Sequence, residues 1–172
     1  MKKLRWLDVL YLMLYYGFAR YLPSLGIGAY VRFSLCKRIF KRCGENVTIK
    51  RNVYFGSGKQ IEIGENSEIG EDAIIPSNTK IGRDVLIAAN CRIISMNHCF
   101  DRIDIPIREQ GYTPKTQIVI DDDVWIGRDV LIMPARHIKR GSIVAGGSVL
   151  TKDFPEYSIV GGNPATFIRS RV

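Results

Sequence analysis

The sequence predicts an all-β repeat, a parallel β-helix of stacked triangular coils, and three observations carry the prediction. An aliphatic residue returns every sixth position, at Ile63, Ile69, Ile75, Ile81, Ile87 and Ile93 and again at Ile120, Ile126, Ile132, Ile138, Val144 and Leu150. Four places after most of these stands a small or β-branched residue (Ser67, Ala73, Thr79, Val85, Cys91, Val124, Val130, Ser148), so both positions face a narrow interior. Gly often follows the aliphatic residue (Gly64, Gly70, Gly82, Gly127), and Asn or Asp often takes the third place (Asn66, Asp72, Asn78, Asp84, Asn90, Asp129). Such residues tolerate the left-handed backbone of a tight bend.

A helix repeats at 3.6 residues and a strand at 2, so a period of six with a bend in each unit fits short strands joined at corners. Three units close one coil, and stacked coils pair each strand with the next at roughly 4.8 Å. Each buried aliphatic side chain contributes about 1.5–3 kcal/mol, which makes the inward column the core. The phase extends back through Cys43, Ile49 and Phe55 and slips by two residues between Lys59 and Glu62. The repeat domain therefore spans residues 43–155, in about five coils with an atypical first one.

Ahead of it, residues 1–42 form an apolar and basic helical segment. Lys2, Lys3 and Arg5 precede the apolar stretch 6–18, which only Asp8 and Gly17 interrupt. The stretch resembles a signal-peptide core but lacks a convincing small-residue cleavage site, and it is too short to span a bilayer. Trp6, Tyr11, Tyr15, Tyr16 and Tyr21 suit a helix lying in a membrane interface, and equally a helix packed over the open end of the prism. Residues 23–28 break it, and residues 30–41 read as a second helix.

At 172 residues, 46% of them hydrophobic, the chain suits one domain with a sizeable core. Its formal net charge of +8 favours anionic partners. Nucleic acid is not among those expected, because the basic residues lack aromatic interleaving on a repeat face. Cys36, Cys43, Cys91 and Cys99 show neither metal-ligand spacing nor a paired framework, and only two histidines are present. These features indicate a reducing cytoplasm and no metal. With the N-terminal segment, the expected location is cytoplasmic and peripheral at the inner face of the membrane.

Between residues 97 and 117 the period vanishes, so a loop is expected to protrude from the prism there. His98 opens this loop outside the apolar column, where an imidazole is the best general base near neutral pH. Asp101 and Glu109 are the candidates to orient the ring, and Asn97 and Asp101, neighbours of His98 in the loop, are candidate acceptor contacts. His137 sits at an outward position of an unbroken unit and reads as a surface residue. Residues 156–172 read as a cap strand and turn followed by a basic tail.

Asn97-His98, Ile105-Pro106-Ile107, the run from Asp123 to Gly127, Ile132-Met133-Pro134 and the run from Gly161 to Ala165 together resemble the hexapeptide-repeat acyltransferases, whose fold is a left-handed parallel β-helix. Within that family the chain is similar to the galactoside, maltose and xenobiotic O-acetyltransferase branch. It also resembles the acetyltransferases of capsule, O-antigen and exopolysaccharide clusters. The resemblance covers residues 43–172 and implies a homotrimer that takes acetyl-CoA as co-substrate. It makes His98 the base that deprotonates a sugar or glycan hydroxyl for attack on the thioester. Trp125 is implied near the acyl group, among both the acceptor and the cofactor contacts. Gly127, Ala145, Gly146, Thr151, Lys152, Asn163 and Pro164 are implied along the coenzyme, with Arg169 and Arg171 meeting its phosphates. The chain departs from the family pattern at residues 135–139, where Arg136 takes a place that should point inward, and it has no secure match for the family's upstream asparagine. Transfer to another small acceptor, an amino-sugar amine, serine or an antibiotic, stays open, as does a non-catalytic scaffold.

Overall fold

A computed structural model describes residues 6–171. Two helices come first, α1 (Trp6–Gly17) and α2 (Ile27–Ile39). Thirteen two-residue strands follow: β1 (Arg42–Cys43), β2 (Thr48–Ile49), β3 (Glu62–Ile63), β4 (Glu68–Ile69), β5 (Lys80–Ile81), β6 (Leu86–Ile87), β7 (Arg92–Ile93), β8 (Val119–Ile120), β9 (Trp125–Ile126), β10 (Leu131–Ile132), β11 (His137–Ile138), β12 (Ile143–Val144) and β13 (Val149–Leu150). The longer β14 (Ser158–Gly162) and β15 (Ala165–Ser170) close the chain.

The strands stack on three faces of a prism. The first face carries β1, β3, β5, β8 and β11, and the third carries β7, β10 and β13. Bridges from Tyr54 to Ile74 and from Ile74 to Arg92 extend the third face toward the first coil. The second face carries β2, β4, β6, β9, β12 and β14, with β15 added antiparallel at its end. The second face thus has one level more than the five coils the period suggests. Register places each inward aliphatic on the next, as in Ile63 to Ile81 to Ile120 to Ile138. All twelve aliphatic positions of the period are at most 4% exposed.

The corners follow from backbone chemistry. Asn46, Asn52, Asn66, Asp72, Asp84, Asn90, Asp123 and Asp129 all have φ between 56° and 61°. Their side chains bond up the corner, as where Asn66 Nδ2 donates to Asp84 Oδ1 at 3.0 Å. Asn78 departs from the pattern: it is absent from the left-handed residues, and its amide donates instead to the Thr116 carbonyl at 2.9 Å. Glycines at the first corner admit the next coil, since a Cβ on Gly64 would lie 2.5 Å from the Gly82 carbonyl oxygen.

Arg136 occupies an inward place without entering the core. Its guanidinium turns to the end of the prism, donating to the Thr151 carbonyl at 2.9 Å and pairing with Asp153 at 3.4 Å. The preceding Ala135 takes φ 61°, the same left-handed corner that Asn and Asp take elsewhere in the repeat, so the backbone of this coil stays regular.

The helices cap the first coil. The second helix starts at Ile27, earlier than the expected residue 30, and Gly28 lies inside it. That glycine serves close approach, because a Cβ there would stand 2.2 Å from the Pro23 carbonyl oxygen. Tyr15 packs on Phe55 with ring centroids 4.5 Å apart. Arg32 is fully buried and donates to the carbonyls of Ile49, Ala19, Leu22 and Pro23 at 2.7–3.2 Å. Lys2, Lys3 and Arg5, expected to lead the interfacial segment, lie outside the described residues, as does Val172.

Residues 163–171 are not a loose tail. The chain turns at a cis Asn163–Pro164 bond and returns as β15 along β14. Arg171 then closes the hairpin onto Asp123 at 2.8 Å and the Gly141 carbonyl at 3.1 Å.

Candidate active site

The extruded loop leaves the prism at the corner between the third and first faces, after β7 and before β8. It returns where the Thr116 amide donates to the Ser95 carbonyl at 2.8 Å and the Thr116 hydroxyl receives the Ala135 amide at 2.8 Å. Its neck is a short antiparallel ladder: Thr113 N donates to Asn97 O at 2.8 Å, His98 bridges Tyr112, and Cys99 N donates to Gly111 O at 3.1 Å. The tip is held by Gln110, whose side chain accepts from the Arg102 amide and donates to the Arg102 carbonyl. The imidazole of His98 is therefore carried on paired backbone.

That ring is exposed and stacks on Tyr112, with centroids 4.2 Å apart and planes inclined at 34°. Asp101 is exposed in the same loop, and Glu109 pairs with Arg108 at 3.6 Å. Among the described residues no carboxylate is hydrogen bonded to His98, so the ring's partner is the tyrosine and not either expected acid. Asn97 is bound through its backbone, with its amide donating to Thr113 Oγ1 at 2.9 Å.

The other expected residues divide between two places. Trp125 stands half-exposed on the outside of the second face, paired in register with Leu86 and Ile143. Gly127, Ala145, Gly146, Asn163 and Pro164 gather at the corner after that face: a Cβ on Gly127 would meet the Gly146 amide nitrogen at 2.5 Å, and one on Gly161 would stand 3.1 Å from the Ala145 Cβ. Arg169 is exposed on β15, where its guanidinium donates to the Ser170 carbonyl at 2.9 Å. Thr151 and Lys152 lie instead at the corner where the His98 loop emerges, with Lys152 Nζ 5.5 Å from the Phe154 ring centroid. One chain does not bring His98 and Trp125 together, because the loop leaves the corner opposite the second face.

Two further arrangements were not visible in the sequence. At the foot of the loop, a groove of about 230 Å³ is lined by Tyr54, Ile74, Ser77, Asn78, Ser95 and Lys115. The signal for it was Tyr54 and Ile74, large apolar residues at outward places of the repeat. His137 is half-buried, with Nε2 2.9 Å from Asp121 Oδ1 and Nδ1 3.0 Å from Lys139 Nζ. The ammonium has only protons to give, so Nδ1 accepts and Nε2 donates. A larger groove of about 460 Å³ on the first face holds none of the expected site residues. Its charges already satisfy one another, as where Arg83 and Arg140 both pair with Asp122. No group of three His, Cys, Asp or Glu side chains that could hold a metal occurs among the described residues.

Comparison with known proteins bears on this arrangement. The family model for bacterial transferase hexapeptide (six repeats) matches residues 60–95. The galactoside O-acetyltransferase of Escherichia coli K12 is 34% identical over 138 residues, which are 80% of this chain and 68% of that protein. A chloramphenicol acetyltransferase of Agrobacterium fabrum is 46% identical over 61 residues, 36% of this chain, and the matched stretch spans only 29% of that relative. Among solved structures, a hexapeptide-repeat-containing acetyltransferase of Vibrio cholerae in complex with acetyl coenzyme A superposes with a TM-score of 0.78 at 27% identity. The match covers 95% of this chain and 84% of that one.

Proposed function

We infer the reaction from one premise: this chain belongs to the hexapeptide-repeat acyltransferases, with their left-handed β-helix. It is an acetyltransferase, and acetyl-CoA is its co-substrate. The acceptor we propose is a hydroxyl of a sugar in a polysaccharide precursor, of the capsule, O-antigen or exopolysaccharide kind. A galactoside O-acetyltransferase among the relatives and the groove at the foot of the loop support this reading. Tyr54 offers that groove an aromatic wall, and Ser77, Asn78 and Ser95 offer hydroxyl and amide groups suited to a sugar.

The observation that carries the mechanism is the exposed imidazole of His98 on the braced neck of the loop. A sugar hydroxyl is a poor nucleophile until its proton is removed. In the proposed step His98 takes that proton as the hydroxyl oxygen attacks the thioester carbonyl. The C–O ester bond forms, the C–S bond breaks, and the proton passes to the departing thiolate to give free CoA. Positioned proton removal of this kind is worth roughly 10²- to 10⁴-fold in rate. The glycine-rich corner at Gly127, Ala145 and Gly146, with Asn163, Pro164 and Arg169, is assigned to the coenzyme.

Since His98 and the coenzyme corner face apart within one chain, a working site takes residues from two chains. A closed homotrimer, in which each loop meets its neighbour, satisfies this. The test is release of free thiol from acetyl-CoA with a panel of hydroxyl and amine sugars, comparing the wild type with His98→Ala at a known oligomeric state. Hydroxyl-dependent release that collapses in the variant while acetyl-CoA still binds is the expected result. Equal rates would remove His98 from the mechanism, release only with amine sugars would reassign the acceptor, and a chain that binds no acetyl-CoA would be a scaffold.

A further inference from the structure

Helix α1 carries apolar surface on both sides, and its inner side puts Tyr15 in the core with Tyr11, Leu12 and Tyr16 against it. Toward the prism it turns its polar groups: Asp8 is 8% exposed and pairs with Lys59 at 2.5 Å, Tyr15 donates its hydroxyl to the Val53 carbonyl at 3.1 Å, and Tyr16 donates to the Gly56 carbonyl at 2.9 Å. Away from the prism it presents Trp6, Leu10, Met13 and Leu14, continued by Phe18 just past its end; Trp6 is 74% exposed and Met13 67%. The apolar surface continues past the helix through the exposed Leu25, Ile27 and Tyr30. No charged side chain interrupts residues 9–19. A helix whose outer side meets water is expected to be polar there, and a contiguous apolar face of this kind marks a contact surface.

Charge identifies the partner. Residues 1–44 hold nine Lys and Arg against a single acidic residue, Asp8, an excess equal to the whole chain's net charge of +8; Arg32 among them is buried, and Lys37 and Lys41 pair with Glu45 and Glu62. Asp8 is already paired with Lys59. Arg38 lies 5.7 Å from the Tyr11 ring centroid on α1 and has no carboxylate partner among the described residues. A second copy of this face would bring two strongly basic segments to one seam, whereas an anionic surface would neutralise both. No described helix is long and apolar enough to cross a membrane, and the 12 residues of α1 suit a helix lying flat.

We propose that the outward face of α1, with the turn that follows it, seats the first-coil end of the prism on an anionic phospholipid bilayer. The apolar side chains enter the acyl boundary and the surrounding Lys and Arg meet the headgroups. The His98 loop emerges two coils further along the prism, between β7 and β8, so seating by this end leaves it open. The proposal is independent of the acceptor assigned above.

The test is flotation of the full-length protein with vesicles of phosphatidylcholine alone and of phosphatidylcholine mixed with phosphatidylglycerol. The wild type is expected to float with the mixed vesicles only, and less so as salt rises. Met13→Glu/Phe18→Glu, which alters two outward side chains, should lower the bound fraction by about tenfold or more with thermal midpoint and elution volume unchanged. Quenching of wild-type tryptophan emission by brominated anionic lipid, through Trp6, gives the same answer without a variant. A wild type that stays with the unbound fraction, or that floats equally well on neutral vesicles, overturns the proposal. So does a double variant whose oligomeric state changes in the absence of lipid, which would give the face to a second copy.

Discussion

His98 and Tyr112 face each other across the neck of the extruded loop, joined by an antiparallel bridge and a ring contact with centroids 4.2 Å apart. The base proposed at His98 needs its ring held where it meets the proton, and this contact is the ring's partner in place of a carboxylate. Tyr112→Phe keeps the stack and should leave kcat within about twofold of wild type. Tyr112→Ala frees the ring and should lower kcat by up to about tenfold, since such aromatic pairs are worth about 0.5–1.5 kcal/mol. Steady-state kinetics of both variants, with acetyl-CoA affinity measured alongside, check this. A phenylalanine variant as slow as the alanine one would show that the hydroxyl, not the stack, matters.

The separation of His98 from Trp125 within a chain makes a prediction about mixed oligomers. His98→Ala and Trp125→Ala are each expected to be impaired alone. Unfolded together and refolded as mixed trimers, they should regain about a quarter of the wild-type activity, because random assembly pairs an intact loop with an intact neighbouring face in that share of sites. No recovery on mixing would mean that each chain uses its own residues.

Arg32 should be the most costly single change in the N-terminal cap. Its buried guanidinium satisfies four carbonyl oxygens drawn from the helical segment and from β2. Arg32→Met leaves those acceptors unpaired in the interior and is expected to destabilise by at least about 3 kcal/mol. Arg32→Lys should recover only part of this, since an ammonium lacks the planar fork. Denaturant titration at one fixed protomer concentration measures both.

The cysteines set a pH limit. Burial pushes the Cys91 thiol from the ordinary 9.0 up to about 12, and partial burial pushes Cys43 up to about 11. As pH rises past 9 the unfolded chain releases these protons before the folded chain does. Cys91 alone therefore makes stability fall by about 1.4 kcal/mol per pH unit between 9 and 12, with its full contribution present below 9. Cys91→Ala should flatten that slope in chemical denaturation across this range. At pH 8 a thiol reagent should modify Cys99 first and leave Cys36 and Cys91 untouched until the protein unfolds.

The period of six was legible because it is local: each unit repeats its own inward aliphatic and its own bend, so the core, the corners and the point where the loop departs could be read one unit at a time. His98 was legible as an imidazole at an interruption of the period. Its partner was not, since a carboxylate and a tyrosine fourteen residues away are equal candidates until the neck pairs. Nor could the period show that Arg136 escapes to the end of the prism, or that the basic C-terminus folds back as β15, because both depend on what lies on the next coil.

The sequence by itself determined the prism and its inward column, since a strict six-residue period permits no other way to bury those aliphatics. Only the tertiary structure decided which way α1 faces. Its composition suited a cap and an interface alike, and the choice fell to long-range bonds: Asp8 to Lys59, Tyr15 to Val53 and Tyr16 to Gly56 fix one side against the prism, and a second apolar side is left outside.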